Sequence, residues 1–547
     1  LPKLIHIFLI EGLPPELQKS FLDATVDFNR VKVSDIYRQL AELLLSQKRD
    51  KEALYVQELL RGQEIRDFIS TGRGTTNKPQ IPLTPTEKKV PTFSQPLIAL
   101  GTQIIECERL HAQQCVELKN QQGKLIDQYL QQLNAHNKEI RENRQADDTF
   151  FDPKSLQKIR EIVAAQPDTV MIYPLVTEKE LIIQLYAQGD VVKTIPVTVG
   201  RKELGNAVYE FRQLMEYCEK PGTHCGNAEI PQVQAASQKL YNWLMKPIEA
   251  ELKGSSVKNL VFALDRVVRY VPMSALYDGK QYLIEKYTIY IAPSADLTDT
   301  KEKLPTGTQN TQVLAMGLSE ARSGFSALHN VPQELDAIVR KNTSDQQGIY
   351  PGDKYLNNNF DFRTLRDNLK GHKILHLATH GVFDPKSANK SYILLGTGEE
   401  LTPDSIYQLT GLSDIHLVVL SACQTALAGP DQQDGVEINT FASNFLKNSA
   451  KSVIASLWQV NDSSTAQLME KFYGDLAYSK TPITKAQALR LAQLSLLYGK
   501  QVTLDDIKRG GIDVEPVPGK PNQQTSTRPS VSHPYYWAPF ILMGNGL

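Results

Sequence analysis

The chain has 547 residues, 41% of them hydrophobic and 22% charged, with 60 basic and 61 acidic side chains and a formal net charge of −1. This length accommodates two to four domains with sizeable cores, and the even charge balance excludes a general nucleic-acid binder, which carries a strong basic excess. No apolar run approaches the roughly 18 residues of a membrane-spanning helix. The first residue is Leu, so the chain reads as a fragment or processed form in which a targeting peptide is not visible. The five cysteines, Cys107, Cys115, Cys218, Cys225 and Cys423, form an odd, sparse set that does not read as a disulfide framework and points to a reducing, cytoplasmic compartment. No CxxC pair occurs, so a ribbon-type structural zinc site is not expected.

Residues 19–70 are predicted to be helical. In 36–44 and 53–60 apolar residues recur at three- and four-residue steps, and the short polar break Gln47-Lys48-Arg49-Asp50 suits an antiparallel helix pair. The placement of Tyr37, Ala41 and Ala53 resembles a tetratricopeptide repeat (TPR). One such repeat cannot bury both of its faces, so 1–70 reads as the end of a longer array. Residues 71–96, with Gly72, Gly74, Pro79, Pro82, Pro85, Pro91 and Pro96, form a linker. Residues 97–145 are rich in Gln, Asn, Glu and Lys and read as a solvated helical spacer, so 71–168 is linker and spacer together.

From 169 the texture changes. Strands are expected at 170–173, 181–186, 260–264 and 282–284, with helices near 202–218 and 234–252, which makes 169–310 a first α/β domain. Beyond 311 the apolar runs 312–316, 374–378, 417–420 and 452–457 read as buried parallel strands. Helices are expected between them at 332–342, 360–370, 403–409, 436–448, 462–477 and 483–498, so 311–547 is a second α/β domain. Residues 509–534 read as an inserted, mobile loop rich in Pro, Gln and Ser, and 537–543 as a closing edge strand.

Two of these strands stop at reactive side chains. One runs through Ile374-Leu375-His376-Leu377-Ala378 to Thr379-His380-Gly381. The other runs through Val418-Val419-Leu420 to Ser421-Ala422-Cys423-Gln424-Thr425. In parallel α/β sheets the carboxyl ends of the strands carry the sites. A His and a Cys at neighbouring strand ends are the raw material of a cysteine hydrolase, in which the thiolate attacks a carbonyl carbon while the imidazole transfers protons. The N–H groups of Gly381 and Cys423 are candidate oxyanion donors. The competing reading takes Cys423 as a small buried hydrophobe and His380 as a satisfied core residue. A metal reading fails on distance. His372, His376 and His380 would line one face of a helix, but on a strand His376 and His380 lie ~13 Å apart at ~3.3 Å per residue, too far to share an ion. A Cys-based esterase expects a G-x-[SC]-x-G elbow, and Ser421-Ala422-Cys423-Gln424-Thr425 lacks both glycines.

The segments 376–381, 420–425, 452–462, Phe472-Tyr473, 486–493 and 533–540, in that order, resemble the CHAT family, caspase-like peptidases found beside TPRs. Upstream, 271–276 and 282–287 match the family's pre-catalytic half, so the resemblance spans roughly 170–547. It implies an α/β, caspase-like fold made of a silent pseudo-catalytic half at 169–310 and an active half at 311–547, preceded by an all-α arm. It implies a cysteine endopeptidase of the caspase, separase and gingipain clan, with the dyad His380 and Cys423 and no cofactor. The caspase signature Q-A-C-[RQG]-G is absent, which argues against cleavage after Asp. The segment after the Leu-Trp motif is similar to that of separase, where an acidic residue helps receive a basic side chain. The match implies Asp462 in that role, with Asp434 and Glu437 as further negative charges, and hence cleavage after Arg or Lys. The competing role for Asp462 is to cap the helix that follows. The expected partners are a protein substrate and an activating protein bound through the helical arm, with no nucleic acid and no membrane. The expected setting is a regulated bacterial pathway of differentiation, cell division or defence. The alternative function is a catalytically silent TPR-type scaffold, disfavoured because both members of the dyad are present.

Overall fold

The computed structural model describes residues 25–26, 31–69, 156–383 (apart from 221, 222, 224, 341, 343 and 346), 390–421, 424–425, 435–508 and 531–547, with isolated helical positions between 100 and 128. Cys423, Asp434, residues 509–530 of the loop expected at 509–534 and most of 71–155 lie outside the described residues; at the end of that span His533 is buried and caps the helical turn Pro534–Trp537. The chain divides into two compact units, Leu1–Ser155 and Leu156–Leu547.

In the first unit, β1 (Thr25–Val26) pairs with β2 (Val31–Lys32). The predicted helix pair follows as α1 (Val33–Ser46) and α2 (Asp50–Ile69). Apolar residues at helical spacing, among them Tyr37, Ala41 and Leu44 on α1 and Ala53, Leu54 and Leu60 on α2, are buried. A buried ion pair, Arg38 Nη2 to Glu64 Oε1 at 2.7 Å, ties the two helices.

The second unit is built on a sheet. Its first stretch supplies β3 (Thr169–Val176), β4 (Leu181–Ala187), β5 (Val191–Val197), β6 (Asn259–Phe262) and β7 (Thr288–Ile291), with α3 (Arg201–Glu216) and α4 (Ile230–Leu244) between β5 and β6. The second stretch supplies β8 (Val313–Gly317), α5 (Val331–Ile338), β9 (Val339–Arg340), β10 (Tyr350–Leu356), β11 (Ile374–Ala378), β12 (Gly381–Phe383), β13 (Tyr392–Leu394), β14 (Glu400–Leu401), β15 (Leu417–Leu420), β16 (Gln424–Thr425), α6 (Val436–Lys447), β17 (Ser452–Ser456), α7 (Asp462–Tyr478), α8 (Lys485–Tyr498) and β18 (Phe540–Gly544). Twelve strands form one sheet in the order β5-β4-β3-β6-β7-β18-β17-β15-β11-β8-β10-β9, and β14-β13-β12-β16 form a smaller one. The protein is therefore α/β, with a large, mostly parallel sheet. The strands β17, β15, β11, β8, β10 and β9 all pair in parallel, so their carboxyl ends share one edge. Every residue of β8, β11, β15 and β17 is buried, which is why each reads as a continuous apolar run rather than an alternating one.

Four expectations need correction. The closing strand is not at an edge: β18 sits between β7 and β17, parallel to the first and antiparallel to the second. Phe540, Ile541, Leu542 and Met543 are all buried, and a strand apolar on both faces belongs inside a sheet. Residues 282–284 are not a strand but lead into a helical turn, Leu283–Lys286, closed by a capping box in which the Glu285 carboxylate accepts the Tyr282 N–H. The helix expected at 332–342 stops at Ile338 because Val339 and Arg340 pair with β10. The cysteines do form a disulfide, Cys218 to Cys225, with Cα atoms 5.5 Å apart, and Cys107 is also disulfide-bonded. The 218–225 bridge closes a loop of a few residues, so cysteine count and overall spacing gave no sign of it. Among the described residues no helix is long and apolar enough to cross a membrane.

Candidate active site

The two strands singled out above lie side by side: β11 pairs with β15 in parallel, His376 opposite Val419 and Leu377 opposite Leu420. Each then leaves the main sheet and enters the small one. β11 bends at Thr379 and His380 into β12, and β16 begins four positions after β15 ends. There β12 and β16 pair in parallel, Val382 opposite Gln424. Thr379 fixes the bend after β11 by donating its hydroxyl to the Leu394 carbonyl at 2.6 Å.

His380 is half-buried and stacks on Phe325 with ring centroids 4.7 Å apart. Its Nε2–H donates to the Ser326 carbonyl at 2.9 Å. A carbonyl can only accept, so this bond places the ring proton on Nε2 and leaves Nδ1 as the basic nitrogen. Burial pushes the His380 pKa below its ordinary value, against the raising effects of the Ser326 carbonyl and of the Asp462 charge.

Gly381 pairs with Ile393 in β13, while the neighbouring Leu394 N–H bonds the His380 carbonyl. That makes Gly381 and Ile393 a non-hydrogen-bonded pair, so the Gly381 N–H points away from β13, toward the β16 side.

These groups face a cleft of about 410 Å³ lined by Ser326, Glu334, His380, Gly381, Ser421 and Asp462, among others. No lysine or arginine is among the described residues that line it. Asp462 opens α7 but does not cap it. The cap is Asn461, whose side chain accepts the Ser464 N–H at 3.1 Å. The capping role considered for Asp462 thus belongs to its neighbour, because the helix starts one residue earlier than that role requires. Asp462 Oδ2 instead accepts from the backbone and side-chain N–H groups of Asn330, at 2.7 and 2.9 Å. Glu437 lies on α6, but its side chain is outside the described residues, as are Asp434 and Cys423 entirely. The residues flanking Cys423 are placed: Ser421 lines the cleft and Gln424 pairs with Val382 beside Gly381.

Sequence reasoning missed Glu334. It is only 2% exposed and lies in the first turn of α5. Oε1 accepts the Ser421 hydroxyl at 3.1 Å and lies 3.0 Å from His376 Nε2. A signal was present: Val331, Leu335 and Ile338 form the buried stripe of α5, and Glu334 falls on it, where an acid has no ordinary reason to be.

The chain belongs to the CHAT domain family, whose profile matches residues 234–545. No curated protein sequence matches it. Among solved structures it is similar to separase in the Saccharomyces cerevisiae separase–securin complex, at 10% identity and a TM-score of 0.43, covering 95% of this chain and 38% of that one. It is similar to the Arg-specific cysteine proteinase gingipain R (RgpB), at 10% identity and a TM-score of 0.34, covering 62% and 75%. The same holds for the complex of the Porphyromonas gingivalis RgpB pro- and mature domains, at 12% identity and a TM-score of 0.32, covering 62% and 77%. The chain thus spans well under half the length of the separase chain it matches.

Proposed function

We propose that the protein is a cysteine endopeptidase that cleaves protein substrates after Arg or Lys, with Cys423 as nucleophile and His380 as its base. The observation that carries this is the acidic cleft beside His380. It holds two carboxylates and, among its described residues, no cation, and it opens where the strand before Cys423 ends. His380 Nδ1 would take the thiol proton while Ser326 holds the ring in place. The tetrahedral oxyanion formed on attack would be received by the N–H groups of Gly381 and Cys423. Asp462, and in the same electrostatic sense Asp434 and Glu437, favour a basic side chain at P1 and repel Asp. In this reading 169–310 is a catalytically silent half, and the helical arm recruits the substrate or an activating protein in a regulated bacterial pathway of differentiation, cell division or defence. The test is a panel of fluorogenic peptides differing only at P1, assayed with the full chain and with Cys423→Ala. Cleavage confined to Arg and Lys and lost in the variant supports the reading. A preference for Asp or apolar P1 ends the basic-pocket assignment, and no cleavage of any member leaves the scaffold alternative.

The environment of His380 sets a pH dependence. Burial lowers its pKa, so the neutral, proton-accepting ring persists to lower pH. The acid limb of kcat/KM should therefore fall below the ordinary histidine value of about 6.5. Asp462 opposes this shift, so Asp462→Asn should move the acid limb further down. A limb that moves upward in this variant would mean that His380 is not the titrating base.

A further inference from the structure

Glu334 has an unusual charge balance. Its carboxylate is almost completely buried, and burying an ionised carboxylate is costly unless a cation faces it. Its described neighbours are a hydroxyl, Ser421, and an imidazole, His376. His376 Nδ1 lies 3.1 Å from the Tyr473 hydroxyl, and burial pushes the Tyr473 pKa well above the ordinary range, so the phenol keeps its proton. His376 Nε2 comes within 3.0 Å of the carboxylate but outside hydrogen-bond geometry. The Ser421 hydroxyl and the His376 ring thus fix the position of the carboxylate, and no lysine or arginine is among the described residues lining the cleft beside it. Both contacts use Oε1, which leaves Oε2 for the cleft that Glu334 lines.

We infer that Glu334 is the specificity-determining acid at the floor of the cleft, receiving the positive end of an arginine or lysine side chain from a bound peptide. This rests on the peptidase reading above and extends it. Asp462 stands nearer the rim with one oxygen committed to Asn330, while the far end of an extended basic side chain meets Glu334. The cation that a buried carboxylate needs is supplied by the substrate. Arginine can form a bidentate pair there, and lysine a single contact.

The experiment uses peptides identical except for P1 Arg, Lys, citrulline (a neutral match in shape for Arg) or norleucine, cleaved by the full chain and by E334Q and E334D. In E334Q the Arg-to-citrulline ratio of kcat/KM should collapse by roughly 10²-fold, the scale expected when one member of a buried charge pair is neutralised. In E334D the carboxylate retreats by one methylene, so cleavage after the shorter Lys should fall at least about tenfold more than cleavage after Arg. An equal fall for all four peptides in E334Q would make Glu334 a structural residue and overturn the inference. If E334Q does not fold, as judged by urea unfolding, E334D decides: equal loss of Arg and Lys cleavage overturns it. Labelling of the wild type by a thiol-directed acyloxymethyl ketone separates the two levels. A wild type that labels and cleaves without basic preference keeps the peptidase and refutes Glu334. A wild type that neither labels nor cleaves refutes both.

Discussion

Cys423→Ala and His380→Ala should each reduce peptide cleavage to background while leaving the fold intact, and the double variant should be no slower than either single one. The proposed reaction needs a thiolate and a positioned base acting together. Removing either member leaves only the contribution of substrate binding and the oxyanion donors, so the losses cannot add. His380 makes two described contacts, with Phe325 and with the Ser326 carbonyl. Its truncation is therefore expected to cost little stability, since it lies at a cleft rather than in the core. The measurement is single-turnover cleavage of an Arg peptide alongside urea unfolding of all three variants. Losses that multiply in the double variant would mean that the two residues work in separate steps. Undiminished cleavage by Cys423→Ala would remove this cysteine from the chemistry.

Much of this fold was legible in the sequence because the strands that matter are buried on both faces. The runs at 312–316, 374–378, 417–420 and 452–457 stand out as apolar blocks because parallel strands lie between neighbours and beneath helices. The helices at 436–447 and 485–498 end within two residues of where the apolar spacing puts them. The strands that were missed carry a different pattern. β5, Val191–Val197, is half exposed and packs only at the edge beside β4, and β10 contains Pro351, Gly352 and Asp353, which read as turn residues. Misplacing β18 had another cause. Position within a sheet is a long-range property: β18 reaches its place between β7 and β17 across hundreds of residues of chain, and no local pattern encodes which neighbours a strand will find.

The site divided along the same line. Of the candidate residues, His380 and Gly381 could be named because they end an apolar run, and Asp462 because the segment after the Leu-Trp motif resembles that of separase. Glu334 and Ser326 could not, since their roles come from a helix and a loop brought in from another part of the chain. Ser326 acts through its backbone carbonyl, which no side-chain pattern reveals. Glu334 in the first turn of a helix passes for an acid favoured by the helix dipole, and only its place on the buried stripe gives it away.

Trp458→Ala should destabilise the second unit by about 3–5 kcal/mol, the range for truncating a buried aromatic residue, and should raise KM. Trp458 is 1% exposed and follows β17 by two residues, just before Gln459 and Val460 form part of the cleft wall. Its indole N–H donates to the Tyr535 carbonyl at 3.1 Å. Over its ring lies the guanidinium of Arg212, 5.1 Å from the centroid, on α3 of the first α/β stretch. The next residue is tied to the same stretch, because the Gln459 N–H donates to the Glu219 carboxylate at 3.2 Å. The first stretch thus braces one wall of the cleft, through a cation–π contact worth up to about 2 kcal/mol when desolvated and a hydrogen bond to the Glu219 carboxyl, whose pKa burial pushes up to about 7. Truncation to Ala removes the ring, leaves a void, strips Arg212 of its aromatic partner and leaves the Tyr535 carbonyl without its donor. Trp458→Phe keeps a ring face for Arg212 and loses the N–H, so it should cost less than half as much and disturb KM little. Urea unfolding combined with steady-state cleavage of an Arg peptide reads both effects. A loss in Trp458→Ala below about 1 kcal/mol with KM unchanged would show that the cleft wall stands without the first stretch. A stability loss with KM unchanged would confine Trp458 to the core and leave the wall to Glu219 and Gln459.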